Sequence, residues 1–299
     1  MSIVFPGSAD GPAFTGERYL PGVTGQLQFE HFHRYLYASQ FVAGKAVLDI
    51  ACGDGYGSFA LAPLASQVIG IDIDHSAVAR ACEAYVTPKL RFMQGRLERI
   101  PLGDAAVDVA VCFETIEHMS DQISAVRELR RVLRPSGMLM ISTPNAHSAD
   151  GAWHQENPFH EKELSRTELL ALLACEFRNV RVLEQRYLVG SAIGGSETTA
   201  GMCSSFESTD SVTFETIEGL GDSYFIALAS NAPLPAAGFS VLDSPSEQKR
   251  LVADLQYAVA RMNTLEMEKA ALQKRLDLAL LQLRHARART LADAEKLAR

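Results

Sequence analysis

The chain has little of what marks several protein classes. It holds one tryptophan in 299 residues and no run of about 18 apolar residues, the length a membrane-spanning helix needs. Its five cysteines (Cys52, Cys82, Cys112, Cys175, Cys203) are scattered, odd in number and never spaced as CxxC. That argues against a disulfide framework or a cysteine-built zinc site and fits a reducing cytoplasm. Basic charge is in deficit, with 28 Lys and Arg against 36 Asp and Glu and a net charge of -8. Broad nucleic-acid binding wants the opposite balance. The start, MSIVFPGSADGPAF, lacks the basic region and long apolar core of a signal peptide. What remains is ordinary globular composition, 47% hydrophobic and 21% charged. The length accommodates one α/β domain of about 200–250 residues and an appendage.

The densest signal is Val47 to Ser58, VLDIACGDGYGS. A short apolar run ends in Asp49, and a loop with Gly53, Gly55 and Gly57 follows. The run reads as a buried strand of a parallel sheet. Glycine lets the backbone turn sharply or approach a ligand closely. A second apolar strand, Val68–Ile73, carries Asp72 near its tip, about 20 residues on, where a ribose-binding carboxylate belongs. The spacing G-D-G-Y-G is not G-x-G-x-x-G, so the pyrophosphate fingerprint of a dinucleotide site is absent.

Further strand-like runs at Leu90–Gln94, Val107–Phe113 and Met138–Thr143 alternate with helical stretches, including Ser120–Leu133. That rhythm means a mainly parallel sheet with helices on both faces. Arg134-Pro135-Ser136-Gly137 reads as a stop and turn before the next strand. Ser165–Leu173 reads as a helix, Val180–Tyr187 and Tyr224–Ala229 as strands, and the polar stretch Gly194–Asp222 as a long loop or insertion. The expected organisation is an N-terminal arm and cap helix (1–43, helical from 26), a catalytic domain (44–231), a Pro/Ala/Ser linker (232–245) and a rod (246–299).

VLDIACGDGYG resembles motif I of the class I S-adenosylmethionine-dependent methyltransferases, whose common form is VLDxGCGxG. Ala51 stands where that family usually has its first Gly, which argues against a strongly left-handed backbone there. The order FETIEH (Phe113–His118), RVLRPSG (Arg131–Gly137) and STPN (Ser142–Asn145) is similar to methyltransferases of bacterial surface-glycan gene clusters. Thr15–Tyr19, Glu30–Tyr35 and Asn157–Leu164 fit that group too. The resemblance implies a Rossmann-like α/β fold with a mainly parallel seven-stranded sheet, S-adenosylmethionine as cofactor, and a glycan or lipid-linked glycan acceptor. It implies roles for site residues as well. Asp49 and the backbone of Ala51, Cys52, Gly53 and Gly55 would hold the methionine end. Asp72 would take the ribose and Ile73 would lie beside the adenine. The acid that often contacts the adenine amino group is missing from Gln94-Gly95-Arg96-Leu97, leaving the backbone of Arg96 and Leu97. Glu114 is assigned to the donor site or to orienting its neighbours.

Methyl transfer needs donor and acceptor aligned, water excluded and a proton removed from the acceptor. His118, at a strand tip, is the first candidate base, because imidazole titrates near neutrality. His154 and His160 are rivals in the loop expected to cover the acceptor. His31 and His33 read as helix-surface histidines. No HExxH-like spacing points to a metal ion.

The rod has no Gly or Pro from Ser246 to Arg299. Heptads place Leu255, Met262, Lys269, Leu276 and Leu283 at a, and Leu251, Ala258, Leu265, Leu272, Ala279 and Ala286 at d. This is the pattern of a coiled coil and implies a homo-oligomer or a coiled-coil partner. The rod carries eleven Lys and Arg against seven Asp and Glu, so docking at an anionic membrane surface is the second reading. The expected setting is cytoplasmic, peripheral at the inner membrane beside a glycan-assembly complex, with no nucleic-acid partner. The competing functions are a small-molecule methyltransferase, for a quinone or secondary metabolite, and a non-catalytic scaffold.

Overall fold

A computed structural model of the chain describes residues 26–147, 159–187, 205–208, 214–217, 223–238 and 240–242, with helical positions 257, 261, 262, 265, 268, 269 and 272–274. The chain divides into two units, Met1–Leu242 and Asp243–Arg299. The elements of the first run α1 (Gln26–Ser39), β1 (Ala46–Ile50), α2 (Tyr56–Leu61), β2 (Gln67–Asp72), α3 (His75–Ala84), β3 (Leu90–Gln94) and β4 (Val107–Phe113). A 3-10 turn (Ile116–His118), α4 (Gln122–Val132), β5 (Leu133–Pro144), α5 (Arg166–Ala174) and β6 (Asn179–Gln185) follow. β7 (Ser205–Ser208), β8 (Phe214–Ile217) and β9 (Tyr224–Ser230) complete the unit.

Seven strands form one sheet in the order β3-β2-β1-β4-β5-β9-β6. Neighbours from β3 to β5 pair in parallel, and β9 runs antiparallel to both β5 and β6. The central strands are apolar throughout because both faces are covered. Alternate residues serve separate cores: Leu139 and Ile141 of β5 pack with Val126 and Leu129 of α4 and Leu169 and Leu173 of α5. Met138 and Met140 face the other way, toward Tyr35, Leu61 and Tyr85.

Local chemistry sets the helix starts. Asp74 caps α3 through Ser76 N–H, and Asp121 caps α4 through Ser124 N–H. Ser165 and Glu168 form a reciprocal capping box on α5. α1 ends at Ser39, short of the expected 43, and Gly44 at φ 69° turns the chain into β1. The expected turn at Arg134–Gly137 is absorbed into β5: Leu133 pairs with Val107 and Met138 with Val109, so the extra residues bulge from a continuous strand. Within the polar stretch expected as a loop, β7 and β8 form an antiparallel pair.

Gly57 serves packing rather than a ligand. A Cβ there would collide with the Tyr35 ring. Gly57→Ala should therefore lower the melting temperature, because overpacking costs about 1–3 kcal/mol against at most ~1 kcal/mol gained in helix propensity. An unchanged thermal melt would show that Tyr35 can yield.

In the second unit, positions Tyr257 through Lys274 are helical where described, and Met262, Leu265 and Leu272 are exposed. Most of the expected rod lies outside the described residues.

Candidate functional site

β1 and β2 end side by side, with Ile50 paired to Ile71. The loop after β1 is held by Cys52 N–H donating to Ile71 O (3.0 Å) and Gly55 N–H donating to Cys52 O (3.0 Å). Asp72 fastens it from the neighbouring strand. Its Oδ2 accepts from Gly53 N–H (2.8 Å) and its Oδ1 from Asp74 N–H (2.9 Å).

Ala51 corrects the sequence reading. It sits at φ 57°, left-handed despite its Cβ, alongside Gly53 at 55° and Gly55 at 81°. The strain of about 1–2 kcal/mol is carried by the hydrogen bonds that pin the residues on either side. Gly53 faces open space, where a Cβ would meet nothing within 4 Å. Between the tips of β2 and β3 lies a depression of about 260 Å³ lined by Ile73, Gln94, Gly95 and Arg96. Ile73 is half exposed beside it, whereas Leu97 and Cys52 are buried and can offer only backbone.

Asp49 works from behind the loop. Its carboxylate is fully enclosed, accepting from Ser58 Oγ (2.6 Å) and Tyr35 Oη (3.1 Å). Burial raises its pKa to about 7, with the nearby Asp72 charge adding to the rise and the two hydroxyls opposing it. The side chain thus braces the loop from inside the core.

At the tip of β4 the chain turns sharply. Glu114 is left-handed at φ 49°, its N–H meets Ser142 O and Oγ, and its Oε1 accepts from Ser142 Oγ (2.6 Å). The 3-10 turn that follows buries Glu117, whose Oε2 accepts from Thr143 Oγ1 (3.1 Å). Burial, then the charge of Glu114, pushes Glu117 well above the usual carboxylate range. The backbone oxygen of Glu117 accepts from Glu161 N–H (2.8 Å) and Lys162 N–H (3.1 Å). Those two bonds bring His160 against His118, edge to face at 4.9 Å between ring centroids. His118 Nδ1 meets Phe159 O (2.8 Å), and His160 Nδ1 meets Glu163 Oε1 (2.6 Å). His118 and His160 are thus brought together; His154 lies outside the described residues.

Helix α1 supplies Arg34, which the sequence reading named only within the Glu30–Tyr35 segment, and places His31 and His33 beside it. Arg34, fully buried, donates from Nε to Gln185 Oε1 (2.7 Å), stacks on the Tyr224 ring (4.4 Å) and pairs with Glu114 (3.4 Å). A buried arginine beside three acceptors many residues away in sequence leaves no periodic signal. His31 bonds Tyr56 Oη (3.0 Å), and burial, then Arg34, pushes its pKa well below the ordinary value. His33 bonds Ser240 Oγ (2.9 Å).

Residues 48–141 match the model of a family described as a methyltransferase domain. A Mycolicibacterium smegmatis protein named "probable S-adenosylmethionine-dependent methyltransferase" is 41% identical over 162 residues, which is 53% of this chain and 62% of that one. A Mycobacterium tuberculosis protein of the same description is 43% identical over 162 residues, 53% of this chain and 58% of that one. The chain therefore spans about three fifths of the length of these curated relatives. A chain from the complex of the Haloferax volcanii Trm112 methyltransferase activator with a methyltransferase shares the fold, with a TM-score of 0.51 and 16% identity over 73% of this chain and 93% of that one.

Proposed function

We propose that this chain is an S-adenosylmethionine-dependent methyltransferase that methylates a hydroxyl, the acceptor being a sugar of a bacterial surface polysaccharide or its precursor. The observation that carries the donor half is the left-handed loop Ala51–Gly55, open at Gly53 and tied to Asp72 of the next strand, inside the segment that matches a methyltransferase domain. The residues present fit the cofactor. The loop backbone from Ala51 to Gly55, its amides at Cys52, Gly53 and Gly55 already bonded within the protein, would hold the methionine end through its carbonyls, Asp72 the ribose hydroxyls, and Ile73 with the backbone of Gln94–Leu97 the adenine. When bound, the cofactor supplies a methyl group on a sulfonium, an electrophile that needs only an aligned nucleophile.

The chain's own residues would do the rest. Asp49, Tyr35 and Ser58 keep the loop rigid from inside the core. The acceptor's proton is given up at the cluster of Glu117 and His118, in the turn after β4, and His160, held against them by the Glu161 and Lys162 bonds to the Glu117 carbonyl. Glu114, held by Ser142 and Arg34, orients that tip. The glycan reading is supported by the segments Phe113–His118 and Asn157–Leu164, which resemble surface-glycan methyltransferases.

Isothermal titration of the full chain with S-adenosylmethionine tests the donor half. Wild type should bind, and Asp72→Ala should bind roughly 10–150-fold more weakly, the equivalent of losing about 1.5–3 kcal/mol of charge-assisted hydrogen bonding. Binding by neither protein would sink the reading. For the acceptor, mass spectrometry of surface glycan from a deletion strain should show chains lighter by one CH2. Unchanged glycan would direct attention to a small-molecule acceptor.

We also propose that 246–299 self-associates as a coiled coil and positions the enzyme at an inner-membrane glycan-assembly complex, on the cytoplasmic side. Its support is the heptad pattern, with Met262, Leu265 and Leu272 exposed on helix. Light scattering should report an oligomer for the full chain and a monomer for the double substitution Leu265→Glu, Leu272→Glu. A monomeric wild type would contradict it.

A further inference from the structure

We propose that Glu117, His118 and His160 form a binding site for one divalent transition-metal cation, held by two imidazole nitrogens and one carboxylate oxygen. One potential ligand atom from each residue lies within 4.8 Å of the other two. Donors around a tetrahedral cation at about 2.0–2.2 Å lie roughly 3.3–3.6 Å apart, so the three side chains would draw together by up to about 1.5 Å to close on it.

The surroundings of the two rings match those of metal-ligating histidines. Such a histidine nearly always donates its other ring N–H to a carboxylate or backbone carbonyl, which fixes the tautomer and raises ligand basicity. Here His118 Nδ1 is set against Phe159 O at 2.8 Å, and His160 Nδ1 against Glu163 Oε1 at 2.6 Å. These two contacts fix how each ring is oriented. The third donor, Glu117, is buried, and its carboxylate is oriented by Thr143 Oγ1. Two imidazoles and one carboxylate suit Zn²⁺, Mn²⁺ or Fe²⁺ better than Ca²⁺ or Mg²⁺, which favour all-oxygen sets.

Sequence spacing could not announce this set. Glu117 and His118 are adjacent, and His160 joins them only because Glu161 and Lys162 hydrogen-bond the Glu117 carbonyl. Three protein ligands leave open positions, as catalytic rather than structural metal sites do. An acceptor hydroxyl in such a position would lose its proton to water far more readily than a free one. This last consequence rests on the methyltransferase reading; the binding site does not.

The test is equilibrium dialysis of the chelator-stripped full chain against Mn²⁺ and, separately, Zn²⁺, with metal counted by mass spectrometry. One cation per chain is expected, with His160→Ala abolishing it. Glu163→Gln, which leaves all three ligands in place, should weaken affinity about 10–100-fold. Circular dichroism establishes that each variant is folded, and His118→Ala stands in should His160→Ala fail to fold. No bound metal up to millimolar concentration, or the same binding in wild type and variants, overturns the proposal. S-adenosylmethionine titration of the same samples separates the two claims. Donor binding without metal binding removes only the metal site, and metal binding without donor binding removes only the methyltransferase reading.

Discussion

Replacing His118 with alanine should lower turnover by about 10²–10⁴-fold, the range expected when a group proposed to handle the acceptor's proton is lost. The affinity for S-adenosylmethionine should stay near that of wild type. His118 ends the 3-10 turn after β4, whereas the donor loop is braced by Asp49 and Asp72 from other strands. The substitution leaves the Glu117 backbone bonds to Glu161 and Lys162 in place, so the segment bearing His160 keeps its anchor. The effect should fall on kcat rather than on the KM for the donor. Steady-state kinetics with both substrates varied reads this split directly. Near-normal kcat in a folded variant would remove His118 from acceptor chemistry.

Asp49→Asn changes how stability depends on pH. The folded-state pKa of Asp49 is raised to about 7, whereas an unfolded aspartate titrates near 3.9. The folded protein therefore holds a proton that the unfolded chain has released. Stability falls as pH rises from about 4 to about 7 and is level above that, with a total penalty of about 4 kcal/mol. The asparagine variant lacks this penalty. In urea unfolding, the stability gap between the two proteins should move by about 2–3 kcal/mol in favour of the variant between about pH 5 and about pH 8. Parallel pH profiles would mean that Asp49 titrates as an ordinary carboxylate.

Much of the donor side was legible because its signals are local. An apolar run, a glycine loop and an acid at the next strand tip are contiguous features, and β1, β3 and β4 fall where their patterns place them. Ala51 was misread because residue preference alone was weighed; tertiary hydrogen bonds on both sides outweigh an alanine's reluctance to turn left. Arg134–Gly137 was misread for a related reason, since a Pro-Ser-Gly turn signal fits equally well into a bulge. The acceptor side was legible only in part. His118 and His160 were visible as residues, but their approach depends on a backbone clasp at Glu117, and Glu163 gained its place behind His160 only through that clasp. Arg34 and Gln185 meet across 151 positions of sequence, beyond the reach of any periodicity.

That last contact bears on how such a protein could change over time. β6 and β9 are antiparallel neighbours, and Gln185 stands opposite Tyr224 where the chain leaves the sheet and returns. Arg34 binds the first and stacks on the second. The excursion between them is thus closed at its neck by the sheet and by α1, whatever its length. Lengthening it should cost only the slow logarithmic penalty of a longer loop, about 0.6 kcal/mol per doubling. The neck lies at the same end of the sheet as the tip of β5, since Tyr224 pairs with Pro144. Insertions and deletions between these two strands can be sampled by descent while the register of β1 to β4 stays as it is.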